Sequence, residues 1–175
     1  TNGTPFFQQM IPVEGMTTSF QWLGSSSNQD GSVLILLTAL TTELFRYERD
    51  SLTGTYLLTH NVGTTAGSSY ANVTVLGNYV YLFYDNNTVV HCYRYDLATL
   101  ANETSMTCPA LDTSGTNYTV GSWTDGTYFY VTQNKAGTVT NKWSMSGTTF
   151  SAVSTSSTSG FAQALANLYD GTSVY

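Results

Sequence analysis

The most constraining feature of this chain is a unit that returns along its length. Asp-Gly or Gly-Asn turn signals place glycines at Gly31, Gly77, Gly126 and Gly171, spaced by 46, 49 and 45 residues. An aromatic precedes each turn (Phe20, Tyr70, Tyr118, Phe161). Apolar runs follow at 33–37, 79–84 and 128–131, and Val174 and Tyr175 follow the fourth. A second segment keeps nearly the same period. Phe45-Arg46-Tyr47-Glu48-Arg49-Asp50 aligns with His91-Cys92-Tyr93-Arg94-Tyr95-Asp96 at an offset of 46, and Asn141-Lys142-Trp143-Ser144-Met145-Ser146-Gly147 is a weaker third copy. Two independent segments with one shared period mark a repeat architecture.

Each unit predicts four short strands. The first ends in a turn whose glycine can take the positive φ of a tight hairpin. The second is apolar on both faces, as a strand covered on each side should be. The third alternates and ends at an aspartate, and the fourth is Thr-rich and polar, as suits an outer edge. No segment sustains a 3.6-residue period over helical length. The fold class is therefore all-β: a propeller-like array of four-stranded antiparallel units. The repeats run over 20–66, 70–115 and 118–160, with a partial one at 161–175 that residues 4–13 could close.

The segments Tyr93-Arg94-Tyr95-Asp96-Leu97-Ala98-Thr99 and Asp125-Gly126-Thr127-Tyr128-Phe129-Tyr130-Val131-Thr132 resemble blade motifs of kelch-like and YVTN-like β-propeller repeats. The kelch double glycine and the Trp-Asp pair of another propeller class are absent. The resemblance implies the fold and no particular activity.

Cys92 and Cys108 are the only cysteines. A hairpin centred on Leu100 would set them opposite one another, and Asp96 opposite Thr104, so a cross-strand disulfide is expected; two buried free thiols are the alternative. Five Asn-x-Thr sequons stand at Asn2, Asn72, Asn86, Asn102 and Asn117. Asn86 and Asn102 are predicted in hairpin loops, and Asn72 within a strand. A disulfide and usable sequons together point to an extracellular or cell-surface location.

Charged residues make up 9% of the chain, and five Lys and Arg against eleven Asp and Glu give a net charge of -6. So few cations exclude a basic face for nucleic acid or anionic lipid. No apolar run reaches membrane-spanning length. Surface hydration must then come from Ser, Thr, Asn and Gln, or from glycans.

Catalytic and cofactor signatures are missing: no G-x-S-x-G, HExxH, P-loop or dinucleotide fingerprint. His91 takes the repeat position of Phe45 and reads as structural. The cluster Glu43, Arg46, Glu48, Arg49 and Asp50 reads as a mixed-sign solvated strand, and Asp85-Asn86-Asn87 as a turn rather than a calcium site. No metal or cofactor is expected. Aromatics form 14% of the chain. Most should pack between units, while Trp22, Trp123 and Trp143 are candidates for stacking on a ligand such as a sugar.

These features point first to a secreted or cell-surface glycoprotein domain acting as a structural or adhesive module, with an enzymatic role left open. Its expected partner is a protein or glycan, with self-association through terminal strands. Two other classes fit the same features: a fragment of a propeller-type carbohydrate-active enzyme, and a subunit of an extracellular filament or viral appendage.

Overall fold

The computed structural model describes residues 22–38, 43–64, 71–85, 89–110, 120–135 and 137–158. Among them every helix is absent, and twelve strands form three four-stranded antiparallel sheets, each in chain order. Sheet one holds β1 (Trp22–Ser27), β2 (Val33–Thr38), β3 (Glu43–Arg49) and β4 (Tyr56–Gly63). Sheet two holds β5 (Ala71–Leu76), β6 (Tyr79–Asp85), β7 (Val90–Asp96) and β8 (Thr104–Met106). Sheet three holds β9 (Val120–Thr124), β10 (Phe129–Lys135), β11 (Gly137–Ser146) and β12 (Thr149–Thr158). The described residues form no closed ring or barrel. They also contain no helix long and apolar enough to cross a membrane.

The turn chemistry behaves as the sequence predicts. Gly31, Gly77 and Gly126, between the first and second strands, have φ of 70°, 58° and 90°, the left-handed region that glycine enters without a Cβ clash. The adjacent aspartates fix two of these turns. Asp30 accepts the Ser32 N–H at 2.9 Å, and Asp125 accepts those of Thr127 and Tyr128 at 2.9 and 2.8 Å.

Alternation along β6 explains why that strand is apolar throughout. Val80, Leu82 and Tyr84 face sheet one and pack with Val33, Ile35, Leu37 and Leu44. Tyr81 and Phe83 face the opposite way and pack with Phe129, Val131, Trp143 and Phe150 of sheet three. Sheet two is thus covered on both faces. Each fully buried aliphatic or aromatic side chain there contributes about 1.5–3 kcal/mol. By contrast most of β4 and of β12 is exposed; β12 is rich in Thr and Ser as expected of an outer strand, whereas β4 holds a single Thr and exposes Leu57 and Leu58.

The sheets meet through their first strands. β1 lies against β5 and β5 against β9. Hydroxyl groups tie these strands: Val75 N–H donates to Ser26 Oγ at 3.0 Å, and the Thr74 and Ser122 hydroxyls pair at 2.7 Å. Gly24 lets β1 approach β5, because a Cβ there would lie 3.2 Å from Asn72 Cγ and 3.3 Å from its Cα.

Two expectations are overturned. Cys92 and Cys108 are both free thiols. The β7–β8 turn closes earlier than a hairpin centred on Leu100: Asp96 N–H donates to Ala101 O, and Arg94, not Asp96, lies opposite Thr104. Met106 therefore faces Cys92. Cys108 falls beyond the end of β8, where Thr107 bridges to Thr149 of sheet three. The second correction concerns Asn72, which is 8% exposed and wedged against Gly24. A glycan at that position has no room in this fold.

A candidate binding face on the third sheet

The three tryptophans separate clearly. Trp143 is fully buried, tilted against Phe83 and Phe150 with ring centroids 6.3 and 5.6 Å away. It is core and not a ligand platform. Trp22 opens β1 opposite Thr38, and its side chain lies outside the described residues. Trp123 is half-buried on the face of sheet three turned away from sheet two, where it stacks on Tyr130 at 4.9 Å and 9°.

Strand register assembles this face. Tyr130 pairs with Trp123 on one side and with Lys142 on the other. Lys142 Nζ lies 3.8 Å from the centroid of the Tyr128 ring and 5.8 Å from that of Tyr130, close enough for cation–π attraction. The Tyr130 hydroxyl donates to Asp125 Oδ2 at 2.8 Å. Partial burial raises the Asp125 pKa. The N–H groups of Tyr128 and Thr127, the Tyr130 hydroxyl and the Lys142 charge outweigh it, so the carboxyl sits below its ordinary 3.8.

Equivalent positions recur in the other sheets. Arg46 lies opposite Ile35, Arg94 opposite Tyr81 and Lys142 opposite Tyr130. They are 48 residues apart and account for three of the five cations of the chain. Arg46 and Arg94 both reach into the next sheet, toward its third-to-fourth-strand turn. Arg46 Nε donates to Leu97 O at 2.6 Å, and Arg94 Nη1 to Gly147 O at 3.4 Å. The Arg94 guanidinium also lies over the Tyr79 ring at 4.6 Å, as Lys142 lies over Tyr128.

Sequence alignment at an offset of 46 missed this series, because it set Arg46 against Cys92. The constant 48-residue step was the available signal. Arg46 is also not the solvated residue expected. It is 6% exposed, and its guanidinium bonds Thr59 Oγ1 and Glu48 Oε1 as well, both at 2.6 Å. Glu48 and Arg49 are exposed, as predicted for that cluster.

The remaining candidates are dispersed. His91 stacks on Tyr84 at 4.9 Å, and His60 is exposed on β4. Among the described residues no group of three or more His, Cys, Asp or Glu could hold a metal. Burial holds the Cys92 thiol well above its ordinary range and pushes that of Cys108 up to about 12, so neither forms thiolate at neutral pH. Asn102 is exposed with φ 58°, and its Nδ2 donates to Asp96 Oδ2 at 2.6 Å. It is the accessible sequon of the described residues. Asn2, Asn86 and Asn117 lie outside them.

Compared with known proteins, the chain matches no family model and no curated relative.

Proposed function

We propose that the chain is a β-propeller-type repeat domain serving as a structural or adhesive module of a secreted or cell-surface glycoprotein. The observation that carries this reading is the stacking of three four-stranded sheets in chain order with β1, β5 and β9 side by side. First strands grouped together and fourth strands at the opposite edges are what radial repetition of such units requires. The exposed sequon at Asn102 and the hydroxyl-rich β12 support an extracellular surface hydrated without charge. Burial of Cys92 is compatible with an oxidising compartment, because a thiol that does not ionise does not exchange.

Two measurements test the two halves of the proposal. Negative-stain images of native protein should show a ring of blades, and an open stack would remove the propeller. Glycopeptide mapping of the same material should find Asn102 occupied and Asn72 bare. An unmodified Asn102 would remove the glycoprotein reading at this site.

A further inference from the structure

With the first strands grouped together, the fourth strands become the edges of the sheets, and the three edges are closed to different degrees. β8 is three residues long, and the residue after it, Thr107, bridges to Thr149. β12 is closed at its start, where Phe150 N–H donates to Thr107 O at 2.8 Å, and a bulge at Val153 breaks its register further on. β4 runs over Tyr56–Gly63 without a Lys, Arg, Asp or Glu to guard it. Its Leu57 and Leu58 are 41% and 36% exposed, and Leu52, at the tip of the same hairpin, is almost wholly so.

Backbone direction makes this edge self-complementary. Arg49 N–H donates to Ser32 O on the β2 side, so Arg49 and Tyr56, which lie opposite one another, form a non-hydrogen-bonded pair. The main-chain groups of Tyr56, and of Leu58 two residues on, therefore point away from β3. Past Leu58 the order fails. Tyr47 lies opposite Leu58 and Arg46 opposite His60, which leaves Thr59 as a bulge. Arg46 pins that bulge: Thr59 Oγ1 accepts from its Nη1 at 2.6 Å and donates to its main-chain O at 3.1 Å. The regular stretch is thus short, with its midpoint at Leu57.

We propose that two copies of this chain associate by antiparallel pairing of β4 with β4 about a twofold axis at Leu57. Tyr56 of each copy then exchanges two N–H···O bonds with the partner's Leu58, and the two Leu57 side chains meet. No charged side chain lies on the paired stretch 55–58, so the two edges meet without like-charge opposition and nothing there selects an ionised partner. Four hydrogen bonds and a leucine pair fall short of the roughly 1,200 Å² buried in stable complexes, so the association is weak. It depends on neither ring closure nor glycosylation.

Sedimentation equilibrium of the full chain at concentrations up to about 1 mM tests it. The weight-average mass should climb toward that of a dimer. Leu57→Asp should weaken association about tenfold or more, because like charges would then face each other. Val153→Asp, at an exposed site on β12, should leave it unchanged. Oxidation reads the register. A non-hydrogen-bonded antiparallel pair sets its Cα atoms about 4.5 Å apart, within disulfide reach. Leu57→Cys should therefore give a disulfide-linked dimer, and Asn61→Cys, exposed on the same strand beyond the bulge, should not; Cys92 and Cys108 are common to both variants. A dimer indifferent to Leu57→Asp, or one that cross-links through Asn61→Cys in preference to Leu57→Cys, would overturn the proposal. So would a chain that stays monomeric, which would leave this edge to an extended segment of another protein.

Discussion

Single side chains in this protein divide sharply by which way the strand turns them. Trp143 on β11 and Trp123 on β9 flank β10 in one sheet, yet one is enclosed by Phe83 and Phe150 and the other lies on the opposite face. Trp143→Ala is expected to lower stability by about 3–5 kcal/mol, since it removes a large fully buried ring. Trp123→Ala should cost about 1 kcal/mol, the scale of one aromatic pair. Chemical denaturation of both variants checks the ordering.

The cysteines give a second residue-scale expectation. Iodoacetamide at pH 7.5 should leave the native protein unlabelled, because burial keeps both thiols protonated. In denaturant without reductant, both should alkylate. Intact mass reads the count, and no labelling under denaturing conditions would mean that the two are joined.

At the level of the element, the hairpin turns and the strand pairs behave differently on acidification. Asp30, Asp50 and Asp125 all titrate below 3.8. Hydrogen bonds from Ser32 lower Asp30, the Thr53 and Leu52 N–H groups lower Asp50, and for Asp125 the turn contacts outweigh partial burial. A carboxyl whose folded pKa is depressed contributes stability that is fully present above its unfolded pKa and lost as pH falls through the folded value. The urea midpoint should therefore hold from neutral pH down to about pH 5 and decline below about pH 4. Asp125→Asn should flatten part of that decline; an unchanged slope would show that this turn contributes nothing to it.

The cation series acts at this scale as well. Arg46→Met leaves Leu97 O without its donor in a buried setting and should cost about 2 kcal/mol. Arg94→Met should cost well under half of that, because its bond is longer and solvent-exposed. Equal losses would mean that the two positions are not set apart by burial.

For the whole molecule, what was legible in the sequence was whatever depends on local chemistry. The turn glycines, the two-sided burial of β6 and the exposed, hydroxyl-rich β12 follow from residue type and spacing alone. The disulfide register did not, because it hinges on where one turn closes. Leu100 takes φ 52° and buries itself in the core beside Leu97, a conformation a leucine side chain resists and only packing selects. Nor did the Arg46–Arg94–Lys142 series emerge from sequence. Its equivalence is set by cross-strand register, and β3 and β7 stand at different distances from their aspartates. Asn72 misled for a related reason: its sequon is local, whereas its burial comes from the approach of β1 at Gly24.

The central claim is that the sheets stack face to face in chain order, with sheet two between its neighbours. Nuclear Overhauser contacts between aromatic rings test it most directly. The account predicts cross-peaks from Tyr81 to Phe129 and from Phe83 to Trp143, whose ring centroids lie 4.7 and 6.3 Å apart. Intact strand pairing within each sheet, with none of these inter-sheet cross-peaks, would contradict it.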